Sequence, residues 1–267
     1  MQSSGDFVDL LRQSGYRFPG ENLGDVQAER ALPFEPTDAT TILAFQYADG
    51  VLVAGDRRAT AGNMVLYDRA DKVIDLDAFS VMAISGSPSI AFEIARILEH
   101  AFQYYRRRLL QEMSLQAKLR RLSLLIRDNL PMAMQGIGAV IPIFATYDQV
   151  DARGKIYFYD ALGAQFESAD FTTTGSGSPA IRGAMYYLNR WGGRRFVDMD
   201  RDAAIGHALQ LLDTASEYDS ATGRYERSAD IFPSVKTITA SGLAEIETEE
   251  LRQLYVQYVD REEGARA

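Results

Sequence analysis

The sequence predicts an α+β fold in which β-sheets are flanked by layers of helix. Three observations predict it. Short apolar runs of strand character occur early, in the middle and late in the chain. Between them lie two pairs of segments whose apolar residues recur at helical spacing. The order is strands, two helices, strands, two helices, strand, which suits sheets covered by helices.

The first strands are Ile42-Leu43-Ala44-Phe45 and Val51-Leu52-Val53-Ala54. Asp49-Gly50 between them is a hairpin signal. Phe79 to Ile84 is a further strand, ending at Ser85-Gly86-Ser87-Pro88. Phe92, Ile94, Ile97, Leu98 and Ala101 then read as one helix, and Leu115, Leu119, Leu122, Ile126 and Leu130 as the stripe of a second. That stripe is core or inter-subunit packing, with no sign of a cofactor box. Strands return over Val140–Ala145 and Ile156–Tyr159, with a turn at Gly163. Helices are expected near 179–190 and 201–217, a late strand over Pro233–Ile238 and a last helix from Glu249 to Arg261. No repeat or linker divides residues 40–267, so they read as one domain.

Residues 1–39 differ. They are polar and rich in Gly, Glu and Pro, and only Phe7-Val8-Asp9-Leu10-Leu11 has the apolar content for a helical turn or two. Composition alone reads this segment as a disordered tail. A sharper reading is a propeptide, because the segment ends where a candidate nucleophile begins.

Composition narrows the function. At 267 residues and 46% hydrophobic, the chain can bury one substantial core. With 37 acidic against 28 basic residues, its net charge of -9 argues against a nucleic-acid or anionic-membrane binder. Arg106-Arg107-Arg108, Arg120-Arg121 and Arg194-Arg195 are expected on solvated helix faces or at subunit contacts. There is no cysteine, which excludes disulfides and thiolate metal sites. The two histidines, His100 and His207, fall in helical runs and read as structural, so neither a histidine-rich metal site nor a Ser-His-Asp triad is expected. The start lacks a secretory signal, and no run approaches the ~18 apolar residues of a membrane span. A cytoplasmic protein is the expectation.

Candidate chemistry begins at Thr40-Thr41-Ile42, followed by Gly55-Asp56-Arg57-Arg58-Ala59-Thr60 and Lys72. A threonine hydroxyl needs an adjacent base to act as a nucleophile. Cutting the chain before Thr40 would free an α-amine on the same residue, with an ordinary pKa of roughly 7.7–8.0. That value suits a general base. Lys72 would keep the amine neutral, and Asp56 would orient Lys72. On these residues alone, a strand-forming threonine pair, a turn aspartate and a solvated lysine account for the pattern better than chemistry does.

Further motifs follow in order: Ala54-Gly55-Asp56-Arg57-Arg58, Gly62-Asn63-Met64, Lys72-Val73, Asn129-Leu130 and Ala133-Met134-Gln135-Gly136. After them come Gly175-Ser176-Gly177-Ser178, Asp219-Ser220-Ala221-Thr222-Gly223 and Ile231-Phe232-Pro233. Through this ordered set, about Thr40 to Tyr258 resembles the β subunits of the proteasome core particle, most closely the bacterial, actinobacterial-type form. The resemblance implies a four-layer αββα sandwich of the N-terminal nucleophile hydrolase type and a threonine endopeptidase made as a precursor. It also implies partners: proteasome α subunits, other copies of this chain in a ring, and a ring-shaped ATPase feeding unfolded protein. No metal or organic cofactor is implied.

The resemblance assigns roles to residues. Thr40 is the nucleophile and carries the base, with Asp56 and Lys72 as the charged pair beside it. Ser176 hydrogen-bonds the threonine amine, Asp219 orients that group, and Thr222 stands where many relatives carry serine. The backbone N–H of Gly86 forms the oxyanion hole. Ala59, Ala70, Ile74 and Ile84 line the first specificity pocket, with Thr60 and Pro88 also at substrate-binding positions. The apolar lining implies cleavage after apolar residues.

Two departures stand out. Relatives usually carry glycine before the nucleophile, but Ala39 stands there, and its Cβ restricts the turn needed for self-cleavage. At Pro88, relatives donate a backbone N–H to an extended substrate, and proline has none. Two other readings stay open: an inactive structural β-type subunit, or another N-terminal nucleophile amidohydrolase acting on small amides.

Overall fold

Two five-stranded antiparallel sheets, stacked face to face and each covered by helices, carry the chain. They come from a computed structural model that describes residues 6–17, 40–61, 64–135, 138–225 and 230–260. The first sheet holds β1 (Thr41–Tyr47), β2 (Gly50–Gly55), β10 (Phe171–Gly175), β11 (Ser234–Thr239) and β12 (Gly242–Glu245), in the order β10-β1-β2-β11-β12. The second runs in sequence order through β5 (Val73–Asp77), β6 (Ser80–Ala83), β7 (Ile143–Asp148), β8 (Arg153–Tyr159) and β9 (Gln165–Ser168). A separate ribbon pairs β3 (Ala59–Ala61) with β4 (Met64–Tyr67).

Strand alternation assigns each face. Ile42 and Ala44 of β1, Val51 and Val53 of β2, Val81 and Ala83 of β6, and Ile143 and Ala145 of β7 meet between the sheets. The intervening Leu43, Phe45, Leu52 and Ala54 face α5 (Ser178–Trp191), α6 (Arg201–Tyr218) and α7 (Thr248–Tyr255). Met82 and Phe144 face α2 (Pro88–Leu109) and α3 (Leu115–Asp128) on the other side. Both faces of these strands are therefore buried, which is why they read as unbroken apolar runs. The layers are helix, sheet, sheet, helix, the expected αββα sandwich.

Helix starts follow local capping. Ser114 accepts the Ala117 N–H before α3 at 3.4 Å, and Asp200 accepts the Ala203 N–H before α6 at 2.9 Å. Such caps satisfy backbone donors that a helix end leaves unpaired. Pro88 opens α2, a position where its missing N–H costs the helix nothing. A short α4 (Leu130–Met134) follows α3. Near the start, α1 (Phe7–Gln13) forms where the apolar patch allowed a turn or two, and it packs on α2.

The expected helices and hairpin stand close to their predicted bounds, with two differences. The last helix ends at Tyr255 and passes into a wider π-type turn over Val256–Asp260. Phe92, read with the apolar stripe of the first long helix, is exposed. It stands two residues before Ile94, on the opposite face of a helix that advances about 100° per residue. Among the described residues, no helix is long and apolar enough to cross a membrane.

Gly50 at the hairpin sits so close to β11 that an added Cβ would run into the Ile238 carbonyl oxygen, whereas Gly183 on α5 has nothing near it. Gly50→Ala should therefore destabilise by about 1–3 kcal/mol. Gly183→Ala should stabilise by about 0.5–1 kcal/mol through helix propensity. Denaturant unfolding of both variants checks the pair.

Candidate active site

The first sheet, β5 and the loops around them bring Thr40, Asp56, Lys72, Ser176, Asp219 and Thr222 into one connected network. Thr40 stands one residue before β1, and Asp56 follows β2, the neighbouring strand. Lys72 immediately precedes β5 of the facing sheet. Ser176 follows β10 at the entrance to α5, and Asp219 ends α6. Strand pairing of β1 with both β2 and β10 is what makes these distant positions neighbours.

Asp56 is fully buried and accepts four hydrogen bonds. Its Oδ1 receives Lys72 Nζ at 2.7 Å and the Thr41 N–H at 2.8 Å. Its Oδ2 receives the backbone N–H groups of Arg58 and Gly223, both at 2.9 Å. Lys72, 4% exposed, is held below the ordinary lysine pKa of 10.5. Burial is the main cause and opposes the charged form, while Asp56 and, further off, Asp219 pull the other way.

A second chain of hydrogen bonds meets the first at Thr40 and Thr41. The Thr40 backbone N–H donates to Ser176 Oγ at 3.3 Å. In the uncut chain this is an amide, standing where a freed α-amine would be. Ser176 Oγ lies 2.6 Å from Asp219 Oδ2, and Thr222 Oγ1 lies 2.6 Å from the same oxygen. Thr222 is also 2.6 Å from Thr41 Oγ1, which in turn accepts the Gly177 N–H at 3.0 Å. Thr222 thus ties Asp219 to Thr41. The Thr41 side chain and the Gly177 and Gly223 amides are links that the sequence reading did not single out.

A cavity of about 320 Å³ opens beside Thr40. Of the predicted substrate positions, Ala59, Ala70, Ile84 and Pro88 line it, with Lys72 and Gly86. Ile74 does not; it packs into the core under the α2–α3 layer. Thr60 is buried in β3, opposite Val65 of β4, and β3 has no second partner strand among the described residues. Tyr67, Arg69, Asp71 and Phe92 also line the cavity and were not anticipated. A signal for Phe92 was available in its place on the wrong helical face for the core.

Gly86 has φ +94, and a Cβ there would strike the Ala139 carbonyl oxygen, so only glycine suits. It bridges to Val140, but the bonds run from Ser87 N to Ala139 O and from Ile141 N to Ser85 O. In that widely spaced position the N–H of Gly86 points away from its partner strand. Ala39, Gly62, Asn63 and Gly136, named in the motifs, lie outside the described residues. Among the described residues, no group of three or more His, Asp and Glu side chains gathers as metal donors.

Comparisons with known proteins agree with this architecture. The family described as Proteasome, proteasome subunit, matches residues 37–226. Proteasome subunit beta 2 of Thermomonospora curvata is 38% identical over 249 residues, 93% of this chain and 85% of that protein. Proteasome subunit beta of Streptomyces griseus is 35% identical over 274 residues, 99% of this chain and 92% of that protein. Proteasome subunit beta 1 of Streptomyces avermitilis is 39% identical over 245 residues, 89% of this chain and 84% of that protein. Matches of this length and identity, to beta subunits of actinobacteria, show that the chain belongs to the proteasome subunit family, alongside its bacterial beta subunits.

Proposed function

We propose that the chain is a catalytic proteasome beta subunit, a threonine endopeptidase made as a precursor and cut between Ala39 and Thr40. The observation that carries this reading is one network holding Thr40, the Lys72–Asp56 pair and the Ser176–Asp219 pair, with Thr40 and Lys72 at the wall of a cavity. Once freed, the Thr40 amine would accept the proton of its own hydroxyl as Oγ1 attacks a substrate carbonyl carbon. The nearby charge of Lys72 favours the neutral amine. The developing oxyanion would receive the N–H of Gly86, a contact typically worth about 2.7–4 kcal/mol. The amine then gives its proton to the leaving nitrogen, and water resolves the acyl-threonine ester. In this reading α subunits, other copies of the chain in a ring and a ring-shaped ATPase enclose the site and feed it unfolded protein in the cytoplasm.

The test of the nucleophile is intact mass together with peptide hydrolysis. Protein assembled with an α-type partner should lose residues 1–39 and begin with Thr40-Thr41-Ile42. Thr40→Ala should keep the segment and hydrolyse nothing. Full activity in that variant would sink the mechanism.

The lowered pKa of Lys72 sets a second expectation. A lysine charge needed for catalysis disappears as pH rises through the folded pKa, here below the ordinary 10.5. Hydrolysis by cut protein should therefore fall on the alkaline side earlier than an ordinary lysine would dictate. Lys72→Ala should be inactive at every pH, and a normal pH–rate profile in that variant would remove Lys72 from the mechanism.

Pro88 sets a third. Pro88→Ala restores a backbone donor at the cavity, which should raise turnover of several peptides by a similar factor, up to roughly tenfold for a hydrogen bond of ordinary worth. If loss of the ring instead widens the cavity, peptides with larger residues at the cleavage site should gain selectively. Fluorogenic peptides differing only at that residue distinguish the two, and no gain on any would make Pro88 neutral.

A further inference from the structure

We propose that Lys236 is a positioning residue for Lys72. Bridging Asp71 and Asp75 between the sheets, it fixes the start of β5 and so the line along which Lys72 reaches Asp56. The part that Lys72 then plays rests on the function proposed above; the placement of the segment does not.

The start of β5 needs such a hold. β5 ends the order of the second sheet, with β6 on one side and, among the described residues, no strand of that sheet on the other. The Ile84 N–H donates to the Lys72 carbonyl at 2.8 Å, so the Val73 N–H is turned away from β6. Asp71 Oδ1 accepts it at 3.1 Å, closing a turn around Lys72. Whatever fixes Asp71 therefore fixes the backbone that carries Lys72.

That anchor comes from β11 of the other sheet. Ser234 Oγ donates to Asp71 Oδ1 at 3.0 Å. Lys236 Nζ lies 2.7 Å from Asp75 Oδ1 and 3.5 Å from Asp71 Oδ2. The two acids stand before and after Lys72 in the chain, so the segment is held at both ends. β11 also pairs with β2: Ser234 faces Gly55, the residue before Asp56, and Lys236 faces Val53. One strand thus holds the carrier of Asp56 by its backbone and the carrier of Lys72 by its side chains. The approach is close, since a Cβ on Gly55 would meet Lys72 Cβ at 3.5 Å.

Packing alone does not call for a lysine here. Lys236 shares with Ile238 the face of β11 that lies between the sheets, in the layer of Val51, Val53 and Val81. It is 3% exposed, and a buried ammonium is costly without its partners, whereas an apolar side chain of similar length needs none. Asp71 and Asp75 are about half-exposed and keep their own hydration. The contribution of the ammonium is therefore directional: it draws two carboxylates of a sheet edge to one point. Slack in this clasp would reach the cavity beside Thr40, where Asp71 and Lys72 both stand.

Lys236→Met keeps the length of the side chain and removes its charge. In assembled protein, with kcat counted per cut chain by intact mass, it should lower kcat for peptide hydrolysis by about ten- to a hundredfold, the scale of small misplacements. KM should stay within about twofold and the melting temperature within about 3 °C. A lower melting temperature with unchanged kcat is the mark of a purely structural residue and overturns the proposal, as does wild-type behaviour throughout. Asp75→Asn loosens the same clasp from its exposed side and should also lower kcat; wild-type kcat there overturns the bridge. Since Lys236 acts through the acids, the double variant should be no slower than the slower single one, and additive losses overturn that route. A readout independent of catalysis, and of assembly, is hydrogen exchange at the Val73 amide in uncut Thr40→Ala protein. Lys236→Met should speed it several-fold and leave β2 unchanged; unaltered exchange at Val73 overturns the proposal. If Lys72→Ala hydrolyses peptide normally, the catalytic role of Lys72 falls, and the exchange comparison still decides whether Lys236 places the segment.

Discussion

One buried carboxylate ties the site to the fold. Asp56, fully shielded from water, receives the Thr41 amide from β1, the Lys72 ammonium from the approach to β5, the Arg58 amide and the Gly223 amide from beyond α6. An isolated charge in that position would be very costly, and four donors with one opposite charge make it tolerable. The same bonds fix where β1 begins and how the loop after α6 approaches it. Losing the carboxylate would leave the Lys72 ammonium as a buried charge without that partner, which typically costs about 3–5 kcal/mol. The geometry of the candidate site and the joint between the two sheets are thus one structure.

Close stacking of the sheets makes this joint possible. Ala44, Ala83 and Ala145 sit between the sheets among branched Val and Ile residues, so backbone from one layer approaches the other. Lys72 of the second sheet can then reach Asp56 of the first with its charge out of water. Burial lowers its pKa, yet the low local dielectric also strengthens its effect on any group nearby. A solvated lysine at the same distance would be screened and would influence a neighbouring amine far less.

Much of this was legible in the sequence, for identifiable reasons. Strands buried on both faces, such as β1, β2, β6 and β7, advertise themselves as apolar runs. β10 does not, because its Thr172-Thr173-Thr174 core is polar; Thr173 Oγ1 satisfies itself on the Ile42 carbonyl at 2.8 Å. The ribbon of β3 and β4 was missed because all four residues of β4 are exposed although apolar. Thr40, Asp56 and Lys72 fall within one short stretch and suggest chemistry together. Ser176 and Asp219 reach the site only through the pairing of β1 with β10 and the packing of α6, so nothing local marks them and only the family resemblance pointed there. Phe92 reads with the helix stripe although its spacing from Ile94 sets it on the opposite face, and Tyr67 closes the exposed strand β4; both line the cavity.

The turn at Ser85–Pro88 joins folding to recognition. Gly86 takes a left-handed conformation that only glycine tolerates against Ala139, and this turn leads the chain from β6 into α2. Because Ser87 and Ile141 supply the bridge bonds, the Gly86 N–H remains directed elsewhere. Pro88 then opens the helix with its ring fixed near helical φ, which stiffens the turn. That rigidity holds the Gly86 amide in place, the condition under which a donor to the oxyanion of the proposed mechanism would contribute most. In the proposed mechanism the backbone donor absent at Pro88 and the preorganisation of Gly86 arise from the same residue, and they would act on different parts of a substrate: its main chain in one case and its reacting carbonyl in the other.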